Sequence, residues 1–271
     1  MTFELIILGS SSALPTSTRH PTAQLLNVDE HFFLIDCGEA TQMQLRKYKL
    51  KFQRINHIFI SHLHGDHYLG LMGLLSTMHL LGRKNEIHIY APPGLKEIID
   101  VQYKYAKTGF NYNLAFHFLK MDEPEILFED EKLTVETILM NHKIPCWGFV
   151  FREKSKSSKS GRSFAYCSDT CYDESIIEKI KGVDVLYHEA TYMQNMLVRA
   201  KETFHSTTIE AGTIAKKAEV KKLIIGHYSA RYKDLEPLLE ETKSVFENTV
   251  LAVEGEKYLI TPQSPEGEVL I

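Results

Sequence analysis

Short apolar runs of strand length alternate with longer amphipathic stretches along this 271-residue chain. Phe3-Glu4-Leu5-Ile6-Ile7-Leu8 reads as a buried strand, followed by a loop from Gly9 to Pro21 rich in Ser, Thr and Pro. Ala23–Val28 and Phe32–Asp36 pair as a hairpin around Asp29-Glu30, and a helix follows from Ala40 to about Tyr48. Ile55–Ile60 is a short strand that ends on a burst of polar residues, Ser61 to His67. Tyr68–Leu81 has helix length despite its glycines, Ile87–Tyr90 is a further strand and Leu95–Ala106 a further helix. The second half repeats this grammar. Strands are expected at Leu133–Leu139, Gly148–Phe151, Ser163–Cys167, Val183–Tyr187 and Leu223–Ile225. Helices are expected at Glu174–Ile180, Thr207–Ala218 and Asp234–Val245. Two halves built alike predict an α/β chain with two sheets face to face and helices outside, as one domain over residues 1–271.

Composition narrows the class. With 44% apolar and 24% charged residues the chain is globular, and disordered or fibrous classes are excluded. A net charge of −4 excludes a surface that is cationic throughout, so any nucleic-acid site is a local patch. Two basic stretches offer one: Arg46 to Lys51 with Arg54, and Arg152 to Arg162, where Lys154, Lys156 and Lys159 lie in a Lys/Ser-rich loop. Either also reads as a solvated face, the first of them equally so. Cys37, Cys146, Cys167 and Cys171 are too scattered for a disulfide framework and read as ordinary thiols. The N-terminus has no basic region before its short apolar run, and the longest apolar candidate, Leu69–Leu81, is cut by Ser76 and His79. A cytoplasmic protein with no membrane partner is expected.

Thirteen histidines are the anomaly. The strongest feature is Ser61-His62-Leu63-His64-Gly65-Asp66-His67, because a core has no use for so many titratable groups at one strand end. His62 and His64 alternate and face one way, while Asp66 and His67 sit where the next helix begins. That divides the ligands between two neighbouring ions. Imidazole nitrogen with carboxylate oxygen suits Zn²⁺, and Mn²⁺ or Fe²⁺ are compatible. His20, His31, His57, His79, His88 and His117 lie outside any constellation and read as surface or core residues.

His-x-His-x-Asp-His after an apolar strand resembles the metallo-β-lactamase superfamily, which implies an αββα sandwich with a dinuclear site at one edge. Asn141-His142-Lys143-Ile144-Pro145 and Tyr166-Cys167-Ser168-Asp169-Thr170 resemble further ligand segments of that superfamily. His188-Glu189-Ala190-Thr191, His205-Ser206-Thr207-Thr208 and Gly226-His227-Tyr228-Ser229-Ala230-Arg231-Tyr232 look like ribonuclease Z, the tRNA 3′-processing endonuclease. Leu8-Gly9-Ser10 and Asp36-Cys37-Gly38-Glu39-Ala40-Thr41-Gln42 match that family too. The resemblance implies that His62, His64 and His142 hold one zinc ion, that Asp66, His67 and His227 hold a second, and that Asp169 bridges them. Asp36 either orients a ligand histidine or caps its strand. His205 with Glu189 is the candidate proton-donating pair, Asp66 also serves as proton acceptor, His188 is a supporting residue, and Arg231 is the candidate to hold a substrate phosphate.

One segment departs from the family. Bacterial ribonucleases Z carry a long tRNA-clamping arm between the strands resembling Gly148–Phe151 and Ser163–Cys167, and here only Arg152 to Arg162 fills that place. The implied activity is removal of the 3′ trailer from precursor tRNA, leaving a 3′-hydroxyl on the tRNA and a 5′-phosphate on the trailer. The implied partners are precursor tRNA and a second copy of the chain, with no DNA. A small-molecule phosphodiesterase and a non-catalytic RNA-binding protein are the rival readings.

Overall fold

The computed structural model describes residues 2–121, 124–154 and 161–261. In the first half, β1 (Phe3–Gly9), β2 (Ala23–Val28) and β3 (His31–Ile35) run antiparallel, and β4 (Ile55–Phe59), β5 (Ile87–Ala91) and β6 (Leu114–Phe118) then add in parallel. The second half does the same. β7 (Ile126–Glu129), β8 (Leu133–Met140), β9 (Cys146–Glu153) and β10 (Ser163–Cys167) are antiparallel neighbours, and β11 (Val185–Glu189), β12 (Leu223–Gly226) and β13 (Thr249–Leu251) continue in parallel. β14 (Lys257–Leu259) returns to the first sheet beside β1.

Side-chain alternation sorts each strand between two layers. Phe3, Leu5 and Ile7 of β1 share the inter-sheet core with Trp147, Phe149 and Phe151 of β9 and with Phe164 and Tyr166 of β10. Ile6 and Leu8 point the other way, toward α1 (Thr41–Lys47), α3 (Leu71–Leu80) and α4 (Gly94–Ala106). On the second sheet, Ala165, Leu186 and Ile225 face α5 (Ile177–Ile180), α7 (Thr208–Lys217) and α8 (Glu236–Lys243). The expected order of helix, sheet, sheet, helix is the observed one.

Several local expectations are corrected. Tyr68–Leu81 is not one helix. A short turn of helix, α2 (Gly65–Tyr68), stops and α3 restarts at Leu71, because Gly70 passes against the backbone of Gly38 and donates its N–H to the Cys37 carbonyl at 2.9 Å. A Cβ at Gly70 would lie 1.9 Å from the Gly38 oxygen, so only glycine lets these two loops touch. Strands β6, β7, β13 and β14 and helix α6 (Leu197–Thr203) have no counterpart among the expected elements. β9 begins at Cys146 and β11 at Val185, against the expected Gly148 and Val183.

Candidate metal centre

The chemistry collects at the C-terminal ends of the parallel strands, where an open α/β sheet places its ligand sites. His62, His64 and the start of the short helix follow β4, Asp36 follows β3, Asp169 follows β10, Glu189 ends β11 and His227 follows β12. Asp36 and His227 turn out of their strands through left-handed backbone, φ 54° and 60°. Asp and His are among the residue types that tolerate that region.

His62 Nε2, His64 Nδ1, His142 Nε2 and Asp169 Oδ2 form one cluster. The two outer imidazole nitrogens lie 3.0 and 3.1 Å from His64 Nδ1, and 3.6 and 3.8 Å from Asp169 Oδ2. Asp66 Oδ2, His67 Nε2, His227 Nε2 and Asp169 Oδ1 form the second, with separations of 3.2 to 3.4 Å. Four donors about 2.0–2.1 Å from a tetrahedral ion stand about 3.3 Å apart, so both clusters have the right span. The two carboxylate oxygens of Asp169 face one cluster each. His67 Nε2 and Asp169 Oδ1 are buried with no hydrogen-bond partner, as atoms aimed at a cation must be. The residues fit a divalent metal.

The opposite edges of the His67, His142 and His227 rings are tethered, which fixes the tautomer that points the free nitrogen inward. His67 Nδ1 donates to Asp36 Oδ2 at 2.9 Å. That oxygen also accepts from the Tyr166 hydroxyl at 2.6 Å and the Ser61 hydroxyl at 2.9 Å, while Oδ1 accepts from the Ser61 amide at 2.8 Å. Tyr166 reaches across from the other sheet, so one buried network joins both sheets beneath the clusters. His142 Nδ1 donates to the Phe204 carbonyl at 2.8 Å, and His227 Nδ1 to the Thr191 hydroxyl at 2.9 Å. Cys146 Sγ lies 3.5 Å from His62 Nδ1.

Burial holds His62, His64 and His142 below the ordinary imidazole value, in the neutral form that binds metal. Burial raises the Asp66 and Asp169 carboxyls, but neighbouring imidazoles outweigh it and hold both well below the usual range. His67, buried yet ringed by Asp169, Asp66 and Asp36, is pushed well up. A divalent ion bound there would take the place of a proton on His67.

His205 and Glu189 stand beside both clusters. Glu189 Oε1 accepts from His205 Nδ1 at 2.8 Å, and the His205 ring lies 5.4 Å from that of His142 and 5.3 Å from that of His227. The capping box of α7 sets this position: Thr207 caps the helix against Glu210, and Ser206 donates to the Thr170 carbonyl at 2.8 Å. Burial disfavours the imidazolium, and Glu189 and Asp169 overcome it, raising His205 to about 9.

The remaining candidates divide. His188 is buried but bonds the Glu189 carbonyl, and it joins none of the clusters among the described residues. Arg231 is exposed and stacks 5.0 Å above the Tyr192 ring, whose centroid is 6.2 Å from that of His205. Cys167 and Cys171 stand outside the clusters. Of the basic stretches, Arg54 pairs with Glu30, Lys154 with Glu129 and Arg162 with Glu153, while Lys156 and Lys159 lie outside the described residues. One expectation fails: His57, His88 and His117 do form a constellation across β4, β5 and β6, the first pair stacked at 5.1 Å between centroids and the second tilted at 5.3 Å. Sequence reasoning missed Ser61, Tyr166, Thr191 and Cys146 as supports, although all but Cys146 lie inside motifs it singled out. Arg19 was missed as well; it is buried beside the site and reaches the Ser229 carbonyl at 3.4 Å.

Paired sheets with His/Asp clusters at their shared edge define a metallo-β-lactamase-fold protein, and a family profile described as a β-lactamase superfamily domain matches residues 31–228. A ribonuclease Z from Bacteroides thetaiotaomicron is 44% identical, over 93% of this chain and 94% of its own length. One from Cytophaga hutchinsonii is also 44% identical, over 96% and 97%. The solved structure of human tRNase Z, short form, superimposes with a TM-score of 0.82 at 32% identity, covering 95% of this chain and 99% of that one. The chain belongs to the ribonuclease Z family of metal-dependent endoribonucleases.

Proposed function

We propose that the chain removes the 3′ trailer from precursor tRNA, using two zinc ions held by His62, His64 and His142 and by Asp66, His67 and His227, with Asp169 between them. The observation that carries this reading is the bridging geometry of Asp169, one oxygen per cluster, with the His205–Glu189 pair alongside. Divalent ions held by these residues would make hydroxide available at neutral pH and offset charge on the scissile phosphate. Asp66 orients the attacking water and accepts its proton. His205, held protonated by Glu189, donates a proton to the departing 3′-oxygen of the tRNA. Asp36, fixed by Tyr166 and Ser61, keeps the His67 ring in place, and Arg231 at the rim holds a neighbouring phosphate.

Residues 152–162 stand where the family carries its tRNA-clamping arm, which is short or absent in this reading. The alignment with the Bacteroides thetaiotaomicron relative runs over 296 positions, whereas 93% of 271 residues is about 252, so about 44 positions have no counterpart here. Glu153 and Arg162 bond each other on its two flanks: the Glu153 amide donates to the Arg162 carbonyl at 2.8 Å, and Arg162 Nε returns to Glu153 Oε2 at 2.8 Å. A cytoplasmic homodimer in which one subunit grips the RNA that the other cuts completes the proposal. Among the described residues no helix is long and apolar enough to cross a membrane.

End-mapping of the products tests the chemistry. A 3′-hydroxyl on the tRNA and a 5′-phosphate on the trailer are expected, and a 2′,3′-cyclic phosphate would overturn the proposed direction of attack.

A further inference from the structure

No step of the proposed reaction uses His57, His88 or His117, and their cluster lies away from the metal centre. From His57 to His62 the chain covers about 16 Å at ~3.3 Å per extended residue. All three rings sit on the face of the first sheet that looks toward the second. His57 is two residues before Phe59, His88 two before Tyr90 and His117 two before Leu119, and those three belong to the inter-sheet core. Phe128 of β7 packs edge-on against His57 at 4.7 Å, so the cluster lies where β6 and β7, the edge strands of the two sheets, come together.

Strand register makes a donor pair there. His88 stands opposite Ala115 and His117 opposite Tyr90, so the two imidazoles are diagonal neighbours, and the small Ala115 side chain leaves the space between them open. His88 Nδ1 and His117 Nε2 face each other at 3.1 Å, the same separation as His64 Nδ1 and His142 Nε2 in the first metal cluster. Both rings are held in place: His88 stacks on His57 at 5.1 Å and His117 on Tyr90 at 4.5 Å between centroids. The far nitrogen of His88, Nε2, lies 3.5 Å from Glu86 Oε1, and the other Glu86 oxygen accepts from Asn113 Nδ2. A carboxylate behind one ring nitrogen keeps the proton there and leaves the lone pair of the other for a cation. Burial and the neighbouring His88 ring lower His117 below its ordinary value, toward the neutral form that ligates metal. The His88 and His117 centroids stand 5.3 Å apart, against 5.0 Å for His64 and His142, so a small turn of the exposed His117 ring brings both lone pairs onto one ion. We propose that His88 Nδ1 and His117 Nε2 form a separate, peripheral site for one imidazole-seeking divalent ion, Cu²⁺, Ni²⁺ or Zn²⁺, with Glu86 orienting His88 and water filling the remaining positions. Imidazole selects this class over Mg²⁺ and Ca²⁺, which take oxygen ligands. An ion there clasps β6, the last strand of its sheet, to β5.

Cu²⁺ is the probe, because it binds nitrogen donors tightest of the divalent series and is paramagnetic. Full-length protein with zinc already in its metal centre is dialysed to equilibrium against rising Cu²⁺ at neutral pH, and copper and zinc are counted per chain. The wild type should take up copper without losing zinc, and the electron paramagnetic resonance of the first equivalent should carry the coupling of two imidazole nitrogens. His117→Ala should lose that signal and weaken copper binding at least about tenfold, with zinc content unchanged. Glu86→Gln should weaken it about tenfold or more, the scale of removing a carboxylate that orients a ligand histidine. Hydrogen exchange of the β6 amides should slow on copper addition in the wild type and not in His117→Ala. Copper taken up only in exchange for zinc overturns the site, as does the same two-nitrogen signal in His117→Ala or an unchanged affinity in Glu86→Gln. A wild type that takes up no copper overturns it as well, and leaves the pair as two imidazoles sharing one proton.

Discussion

Glu189→Gln separates charge from shape in the His205 pair. The Glu189 carboxylate is buried and accepts five hydrogen bonds: from His205 Nδ1 at 2.8 Å and the Thr170 and Ser206 amides at 3.1 Å on Oε1, and from the Thr191 amide at 3.0 Å and hydroxyl at 2.8 Å on Oε2. A glutamine retains the three donors on one oxygen, but its NH₂ then confronts the Thr191 N–H. One buried donor without a partner costs about 1–3 kcal/mol, or a fall of roughly 2–12 °C in Tm for a chain of this size. The kinetic effect is separate. With the Glu189 charge gone, His205 falls from about 9 toward its ordinary 6.5. At pH 8 its protonated fraction drops from about nine-tenths to about one-thirtieth, an upper bound of about 30-fold on the loss of general-acid catalysis. The sign is fixed by the role: the acid must carry its proton, so kcat on precursor tRNA is lost as pH rises through the His205 value, near 9 in the wild type and lower in the variant. Stability follows the same group. A raised imidazole value stabilises the fold fully below pH 6.5 and ceases to do so as pH climbs through about 9, and the variant lacks most of that contribution. Single-turnover cleavage from pH 6 to 10 reads the limb directly. An alkaline limb at the same pH in both proteins refutes the pairing.

Tyr166→Phe removes the 2.6 Å donor to Asp36 with little change of shape and should weaken metal affinity about 10–100-fold by chelator competition; unchanged affinity contradicts the cross-sheet network. His205→Ala should lower kcat on precursor tRNA by ~10²–10⁴-fold with metal content unchanged, and less on a nitrophenyl ester whose leaving group needs no proton. Equal losses on both substrates would assign His205 to positioning. Asp66→Ala should abolish nearly all hydrolysis while circular dichroism shows the fold intact, and activity within about tenfold of wild type contradicts its role. Grafting a full-length family arm between Arg152 and Arg162 should raise kcat/KM on precursor tRNA at least tenfold, about 1.4 kcal/mol, and leave a small phosphodiester within about threefold.

The architecture was legible wherever a strand has two different faces. β1, β2, β4 and β10 each send alternate side chains into two apolar layers, and that leaves a dense apolar run in the sequence. β6 and β7 lie at sheet edges with partly exposed side chains, and β13 and β14 are three residues long, so none leaves such a run. The same division holds at the site. Residues 62–67 are close in sequence and betray themselves by chemistry that a core would reject, and His205 with Glu189 followed from motif resemblance. Their supports were hidden for different reasons. Tyr166 reads as a core aromatic until the sheets are stacked and its hydroxyl meets Asp36. The tether of His142 is a backbone carbonyl, Phe204, whose residue type says nothing. The His57–His88–His117 stack exists only because three parallel strands pair in a particular register.

The paired clusters serve RNA rather than small phosphodiesters. The direct measurement is competition: metal-loaded protein hydrolysing bis(p-nitrophenyl) phosphate in the presence of rising precursor tRNA, with both products followed together. Precursor tRNA should be cut at the trailer junction and suppress the chromogenic reaction at micromolar concentration, with the inhibition weakening steeply as salt rises. Steady chromogenic turnover with the precursor left whole at every salt concentration would contradict it and identify a small-molecule phosphodiesterase.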